Sequence, residues 1–141
     1  GGANRRDIYI RFVNDGYRFN SLVSPHAIVS RFAKIEDGVQ IMAGAIVQSG
    51  ARIGENTIVN TGAIIDHDCN IGAHNHIAPG AVISGGVTTN EMVHVGTGAS
   101  VLQSINIGKN AVIGAGAVIT KDVPRDCTVY GFRQKLKEGT K

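Results

Sequence analysis

The chain repeats itself every six residues. Stepping by six from Val23 to Ile119 visits seventeen positions, and sixteen of them are Ile or Val; the exception is Thr89. Four residues after each of these anchors the side chain is almost always small, Ala at nine of seventeen places, and glycine favours the slots between, as in Ile53-Gly54 and Ile107-Gly108. One large and one small inward residue per six describes a short strand followed by a tight corner, where Gly or Asn accepts positive φ. Three such sides close a prism, so a coil takes 18 residues. Residues 18 apart then stack about 4.8 Å from one another along the axis, and each coil is stabilised by its neighbours, as in other solenoids. Seventeen hexads predict five to six coils.

Composition agrees with an all-β chain. It holds 17 Ile and 15 Val against 3 Leu, and β-branched side chains lose rotamer freedom in helices but fit pleated surfaces. At 141 residues one domain is expected; 43% hydrophobic and 18% charged residues exclude a disordered chain. The longest stretch without a strongly polar residue, Ala111 to Ile119, is far too short to span a membrane. The start, GGANRRDIYI, has no apolar signal core, so a cytoplasmic location is expected. Cys69 and Cys127 make neither a disulfide framework nor a metal-ligand spacing and are expected to be buried thiols. Positive charge gathers at the ends: residues 1–22 carry four Lys/Arg against two acids, residues 120–141 six against three, and residues 23–119 four against six. A nucleic-acid binder would show a basic stripe interleaved with stacking aromatics, so no nucleic-acid partner is expected.

Outside the repeat the pattern changes. Asp7 to Asp15 predicts a short helix stopped by Gly16, and Tyr17 to Val23 a strand leading to Pro25. After Pro124 the register is lost, and Gln134 to Glu138 predicts a charged helical tail. Three segments result: 1–22, the solenoid 23–124, and a basic tail 125–141.

Outward positions of a solenoid are a display surface, and the segment Asp66-His67-Asp68-Cys69 is its most unusual stretch. His67 falls two residues past the anchor Ile65, at a corner, between two acids. Imidazole titrates near neutrality and a carboxylate neighbour raises its basicity, which suits a general base; a solvated surface histidine is the alternative. Gly85 and Gln103 share the edge of His67. His76 and His94 stack, and His26 and His74 are expected on solvated faces. Ser84-Gly85-Gly86-Val87 lacks the Lys-Ser/Thr and the following helix of a phosphate loop.

The stretch Ile58-Val59-Asn60-Thr61-Gly62-Ala63-Ile64-Ile65-Asp66-His67-Asp68-Cys69-Asn70-Ile71-Gly72, with His76-Ile77-Ala78-Pro79-Gly80-Ala81, Val95-Gly96-Thr97-Gly98-Ala99, Ile113-Gly114-Ala115-Gly116-Ala117-Val118 and Lys121-Asp122-Val123-Pro124, resembles the hexapeptide-repeat acyltransferases. Within them it is most similar to the sialic acid O-acetyltransferases and the bacillosamine-type N-acetyltransferases for UDP-linked 4-amino sugars. The resemblance implies a left-handed parallel β-helix, against the usual right-handed crossover, a homotrimer, and a role in cell-surface polysaccharide biosynthesis. It implies acetyl transfer from acetyl-CoA to an amine or hydroxyl of a sugar, possibly nucleotide-linked, without a metal. In that correspondence His67 matches the catalytic base, Asp68 the acid that tunes it, and Asn60 a polar residue beside the acceptor. His76, Gly85, Thr97 and Ala115 match acetyl-CoA contacts; Thr97 and Ala115, 18 apart, stack as a pantetheine arm along the axis requires. Residues 1–22 correspond to the end of a nucleotide-sugar-binding α/β domain. The usual Gly-x-Pro-Ala-Lys near the C-terminus is here Gly131-Phe132-Arg133-Gln134-Lys135. The competing readings are a non-catalytic β-helix, trimer scaffold or binding module, and a zinc hydratase. The hydratases of this fold use three zinc histidines, two of them four residues apart, and His26, His67, His74, His76 and His94 contain no such spacing.

Overall fold

The computed structural model describes residues 1–131 and 135–139. Seventeen two-residue strands, from Leu22–Val23 to Val118–Ile119, wind into a parallel solenoid. Residues 18 apart are paired in register, as in Ile58↔His76↔His94 and Ile64↔Val82↔Ser100. The strands fall into three sheets. Face 1 holds the anchors Val23, Ile41, Val59, Ile77, Val95 and Ile113; face 2 holds Val29 through Ile119; face 3 holds Ile35 through Ile107. Each pair points one residue in and one out. Ile53, Ile65, Ile71, Ile77, Ile83 and Ile113 are sealed inside with Ala45, Ala63, Ala81 and Ala99, each large side chain contributing about 1.5–3 kcal/mol of burial.

The corners explain the hexad. From Gly38 to Gly116 every sixth residue, the third after its anchor, has φ between 55° and 75°. Eight of these fourteen are glycine; the others are Asn56, Asp68, His74, Met92, Ser104 and Asn110. A left-handed residue at that place lets the chain turn from one face to the next within four residues, and each corner amide bonds to the coil before it, as in Gly86 N–H to His67 O at 2.9 Å.

Four expectations are corrected. The N-terminal helix α1 runs Gly2–Asn14, five residues longer at its start than the periodicity suggested, because it is docked. Arg5 donates to the carbonyls of Asn56 and, at 3.2 Å, of Asn75, while Tyr9 packs on Phe19 and donates to Glu55 Oε2 at 3.3 Å. Burial and Glu55 push the Tyr9 phenol up to about 12. Residues 17–21 form no strand; only Leu22–Val23 pairs. The register breaks before Pro124: two residues are missing between Ile119 and Val123, so Val123 bridges Ile107 at a spacing of 16, and Asp122 Oδ1 accepts the Asn106 N–H at 2.8 Å in place of a backbone carbonyl. Cys127–Tyr130 then adds to face 1, and Lys135–Glu138, expected to be helical, returns antiparallel along it. An open sheet edge satisfies backbone groups that a helix there would leave unpaired. Residues 132–134 of the altered C-terminal motif lie outside the described residues.

Candidate functional site

His67 stands on the edge between faces 2 and 3, at the second position of its corner. Asp66 Oδ1 accepts the His67 backbone N–H at 2.7 Å, fixing the turn, and Asp68 takes the left-handed position with φ 57°. Asn and Asp adopt that conformation more readily than other side chains. The result is a short ring-to-carboxylate bond: His67 Nδ1 lies 3.0 Å from Asp68 Oδ2. The carboxylate can only accept, so Nδ1 carries the proton and Nε2 the lone pair. The Asp68 bond, reinforced by the charge of Asp66, holds the imidazole above its ordinary range. Both side chains are mostly exposed, at 64% and 72%, so the dyad has no pocket of its own.

Gly85, on the next coil of the same edge, lies directly beside the ring: a β-carbon there would sit 2.5 Å from His67 Nε2 and 2.6 Å from Cε1. Gly50, one coil to the other side, plays the matching part for Asp68, since a β-carbon there would collide with Oδ1. The stacking of His67 with Gly85 follows from the 18-residue coil; the contact of Gly50 with Asp68 escaped the sequence reading, although the same arithmetic places 50 beside 68.

Asn60, His76, Thr97 and Ala115 gather elsewhere. Asn60 opens a corner on the edge between faces 1 and 2, where its Oδ1 accepts the Thr61 N–H at 2.8 Å and its Nδ2 donates to His76 Nε2 at 3.1 Å. His76 points outward on face 1, edge-on to His94 with ring centres 4.9 Å apart, and burial lowers both imidazoles below their ordinary value. Thr97 and Ala115 lie exposed on the same edge as Asn60, each followed by a left-handed glycine. On that edge Gly62, Gly80, Gly98 and Gly116 form a column in which an added β-carbon would meet nothing within 4 Å. Six residues of extended side separate the two edges, about 15–20 Å. The expected site residues therefore form two groups: His67, Asp68 and Gly85 on one edge, Asn60, His76, Thr97 and Ala115 on and beside another.

His74 is not on a solvated face. It is 5% exposed, its Nδ1 accepts from Asn56 Nδ2 at 2.9 Å, and Tyr9 meets it edge-on, because α1 covers this edge. Cys69 and Cys127 are buried free thiols. Among the described residues no group of three or more His, Cys, Asp or Glu is placed to hold a metal ion, and no helix is long and apolar enough to cross a membrane.

Residues 32–67 and 51–85 match the bacterial transferase hexapeptide (six repeats) family, whose coils are left-handed. No curated protein sequence matched the chain. Among solved structures, the acetyltransferase domain of PglB from Neisseria gonorrhoeae superposes with a TM-score of 0.94 at 40% identity, over 96% of this chain and 66% of that one. PerB from Caulobacter crescentus, solved with CoA and GDP-perosamine, gives 0.94 at 33% identity over 96% and 66%. WeeI from Acinetobacter baumannii gives 0.92 at 28% identity, again over 96% and 66%. This chain thus spans just under two-thirds of the length of these relatives.

Proposed function

We propose that this chain, which resembles the hexapeptide-repeat acyltransferases and within them the sugar N-acetyltransferase branch, transfers acetyl from acetyl-CoA to an amine of a nucleotide-linked sugar, with His67 as general base. The observation that carries the reading is the His67–Asp68 pair, with Nδ1 held by the carboxylate and Nε2 free beside Gly85. As the acceptor nitrogen attacks the thioester carbonyl, its proton passes to His67 Nε2. Asp68 stabilises the imidazolium that forms. Collapse of the tetrahedral adduct breaks the carbon–sulfur bond, and the imidazolium proton follows the sulfur to release CoA as its thiol. The Gly86 N–H is committed to the His67 carbonyl, which leaves the Gly85 N–H as the donor for the oxyanion. The relatives solved with CoA and GDP-perosamine and with acetyl coenzyme A support both substrates.

Acetyl-CoA fits the other edge. A column of bare glycines beside Thr97 and Ala115 offers an unobstructed lane along the axis, as an extended pantetheine arm needs, with Asn60 and His76 at its start. That lane and the dyad flank face 2, too far apart in one copy to share an acetyl group. Face 2 is also the apolar face: Ile28, Ile46, Ile64, Val82 and Val118 point outward there, whereas face 3 shows Lys34, Arg52, Asn70, Thr88 and Asn106. A three-fold ring with face 2 inward brings the lane of one copy against the dyad of the next, a head-to-tail closed interface. We therefore read the protein as a homotrimer with three composite sites. Residues 1–22 are read as the end of a nucleotide-sugar-binding unit, 23–124 as the catalytic solenoid and 125–141 as its tail.

The test is CoA-thiol release against UDP-linked 4-amino sugars, GDP-perosamine and sialic acids. His67→Ala should lower turnover by about 10²–10⁴-fold with acetyl-CoA affinity near normal. Unchanged turnover in that variant rejects the mechanism.

A further inference from the structure

The dyad lies across three coils. His67 and Asp68 are neighbours in sequence, yet they lean in opposite directions along the axis: the imidazole lies over Gly85 on the following coil, and the carboxylate over Gly50 on the preceding one. Neither lean survives a methyl group. At Gly85 the added carbon would lie 2.5, 2.6 and 3.1 Å from Nε2, Cε1 and Cδ2 of His67, and the three nearest atoms are all imidazole. At Gly50 it would run into Oδ1 of Asp68 and stand 3.2 Å from Cγ. The rest of the edge shows that bare backbone is not required at every coil for folding: in line with His67 and Gly85 stand Ser49 on one side and Gln103 on the other, and in line with Gly50 and Asp68 stand Phe32, Gly86 and Ser104.

We propose that Gly50 and Gly85 are positioning residues for the His67–Asp68 pair, two gaps in the side-chain surface, one coil to either side, that let ring and carboxylate lie down against the solenoid and meet at 3.0 Å. The idea rests on the acetyl-transfer reading for its consequence in turnover, but the geometry itself is independent of which reaction occurs. Two exposed side chains would otherwise sample many rotamers, and a general base loses effectiveness when its orientation is not held.

The two glycines can be tested separately. Gly85 does not have a left-handed φ, so Gly85→Ala is acceptable to the backbone and its methyl acts on His67 alone. Gly50 has φ 75°, so alanine there carries a backbone cost as well. Gly44→Ala is the matched control, with φ 73° and only the Gly62 backbone at 3.7 Å. The readouts are the His67 ring titration by NMR, acetyl-transfer kinetics, and Tm, all on the full chain. Gly85→Ala should lower turnover about 100-fold, within the range of a mispositioned base, and move the His67 titration down as the ring leaves Asp68. Gly50→Ala should lower turnover about 10-fold, leave the KM for acetyl-CoA within about two-fold, and also move the titration down. Gly44→Ala should lose as much Tm as Gly50→Ala while keeping both turnover and titration. In an Asp68→Gly background, which removes the carboxylate without straining the left-handed site, Gly50→Ala should cost no further turnover. Wild-type His67 titration in both Gly85→Ala and Gly50→Ala overturns the proposal, as does a Gly50 effect that adds in full to Asp68→Gly. If no acceptor supports turnover, the titrations of Gly85→Ala, Gly50→Ala and Gly44→Ala still decide the geometry, and only the acetyl-transfer reading falls.

Discussion

Asn75 is the polar residue whose removal should cost the solenoid most. It fills an inward slot that Ala or Val fills on most coils, and it is fully buried. Its Nδ2 donates to Ala73 O at 2.9 Å and Asn90 O at 2.8 Å, and its Oδ1 accepts from Thr89 Oγ1 at 2.7 Å. Asn75→Leu keeps the branched shape of the side chain and deletes all three bonds. Ala73 O keeps a partner in the Met92 N–H at 3.0 Å, so Asn90 O loses its partner and the Thr89 O–H loses its acceptor, while Thr89 Oγ1 still accepts from the Gly72 N–H. At about 1–3 kcal/mol for each buried polar group left unpaired, the loss is about 4 kcal/mol. The added apolar burial returns about 1.5 kcal/mol, leaving a net destabilisation of about 2–3 kcal/mol. Urea unfolding followed by far-UV circular dichroism would show this as a lower midpoint with an unchanged slope. Thr89→Val removes the same shared bond from its other end and strands the Gly72 N–H, which donates to Thr89 Oγ1 at 3.0 Å. The double variant should therefore be less unstable than the sum of the singles by about 1–2 kcal/mol. An Asn75→Leu protein as stable as wild type, or strict additivity in the double variant, would refute the claim that this network acts as a unit.

Three further outcomes follow from the site. Asp68→Asn keeps the left-handed corner but removes the first cause of the raised His67 value; since the base works when neutral, the acidic limb of the pH–rate profile should move to lower pH while the plateau falls, and a limb that stays or moves up contradicts the assigned bond. Ala115→Phe, on an exposed edge, should block the proposed pantetheine lane and weaken acetyl-CoA binding at least about ten-fold with an unchanged Tm; calorimetry showing wild-type affinity places the lane elsewhere. Ile64→Lys puts a charge on the centre of face 2, and should convert the assembly into a species of about 15 kDa by light scattering while leaving the β-rich circular dichroism intact; a surviving trimer would mean that another face is the interface.

A six-residue period determines more than most sequence patterns do. Main-chain bonding between coils is lateral and regular, so once the anchors from Val23 to Ile119 are in register, every residue's neighbours 18 positions away are known. That is why the three faces, the corner position of His67 and its proximity to Gly85 were all legible, whereas adjacency offered Asp66 and Asp68 equally and the family resemblance singled out Asp68. Contacts that break the period were not. His74 reads as a solvated corner until α1 lies across it, and α1 itself is longer than its own pattern suggests because Arg5 and Tyr9 dock it on carbonyls and side chains more than forty residues away. The two-residue loss before Val123 is invisible as composition; it is tolerated because the Asp122 carboxylate replaces a missing carbonyl. The charged tail could satisfy its backbone as helix or strand, and the open edge of Cys127–Tyr130 decided for strand. That His67 lies over Gly85 and Asp68 over Gly50 is likewise a relation among three stacked corners. Local spacing determined which residues share an edge; the packed solenoid decided which of them face each other and what covers them.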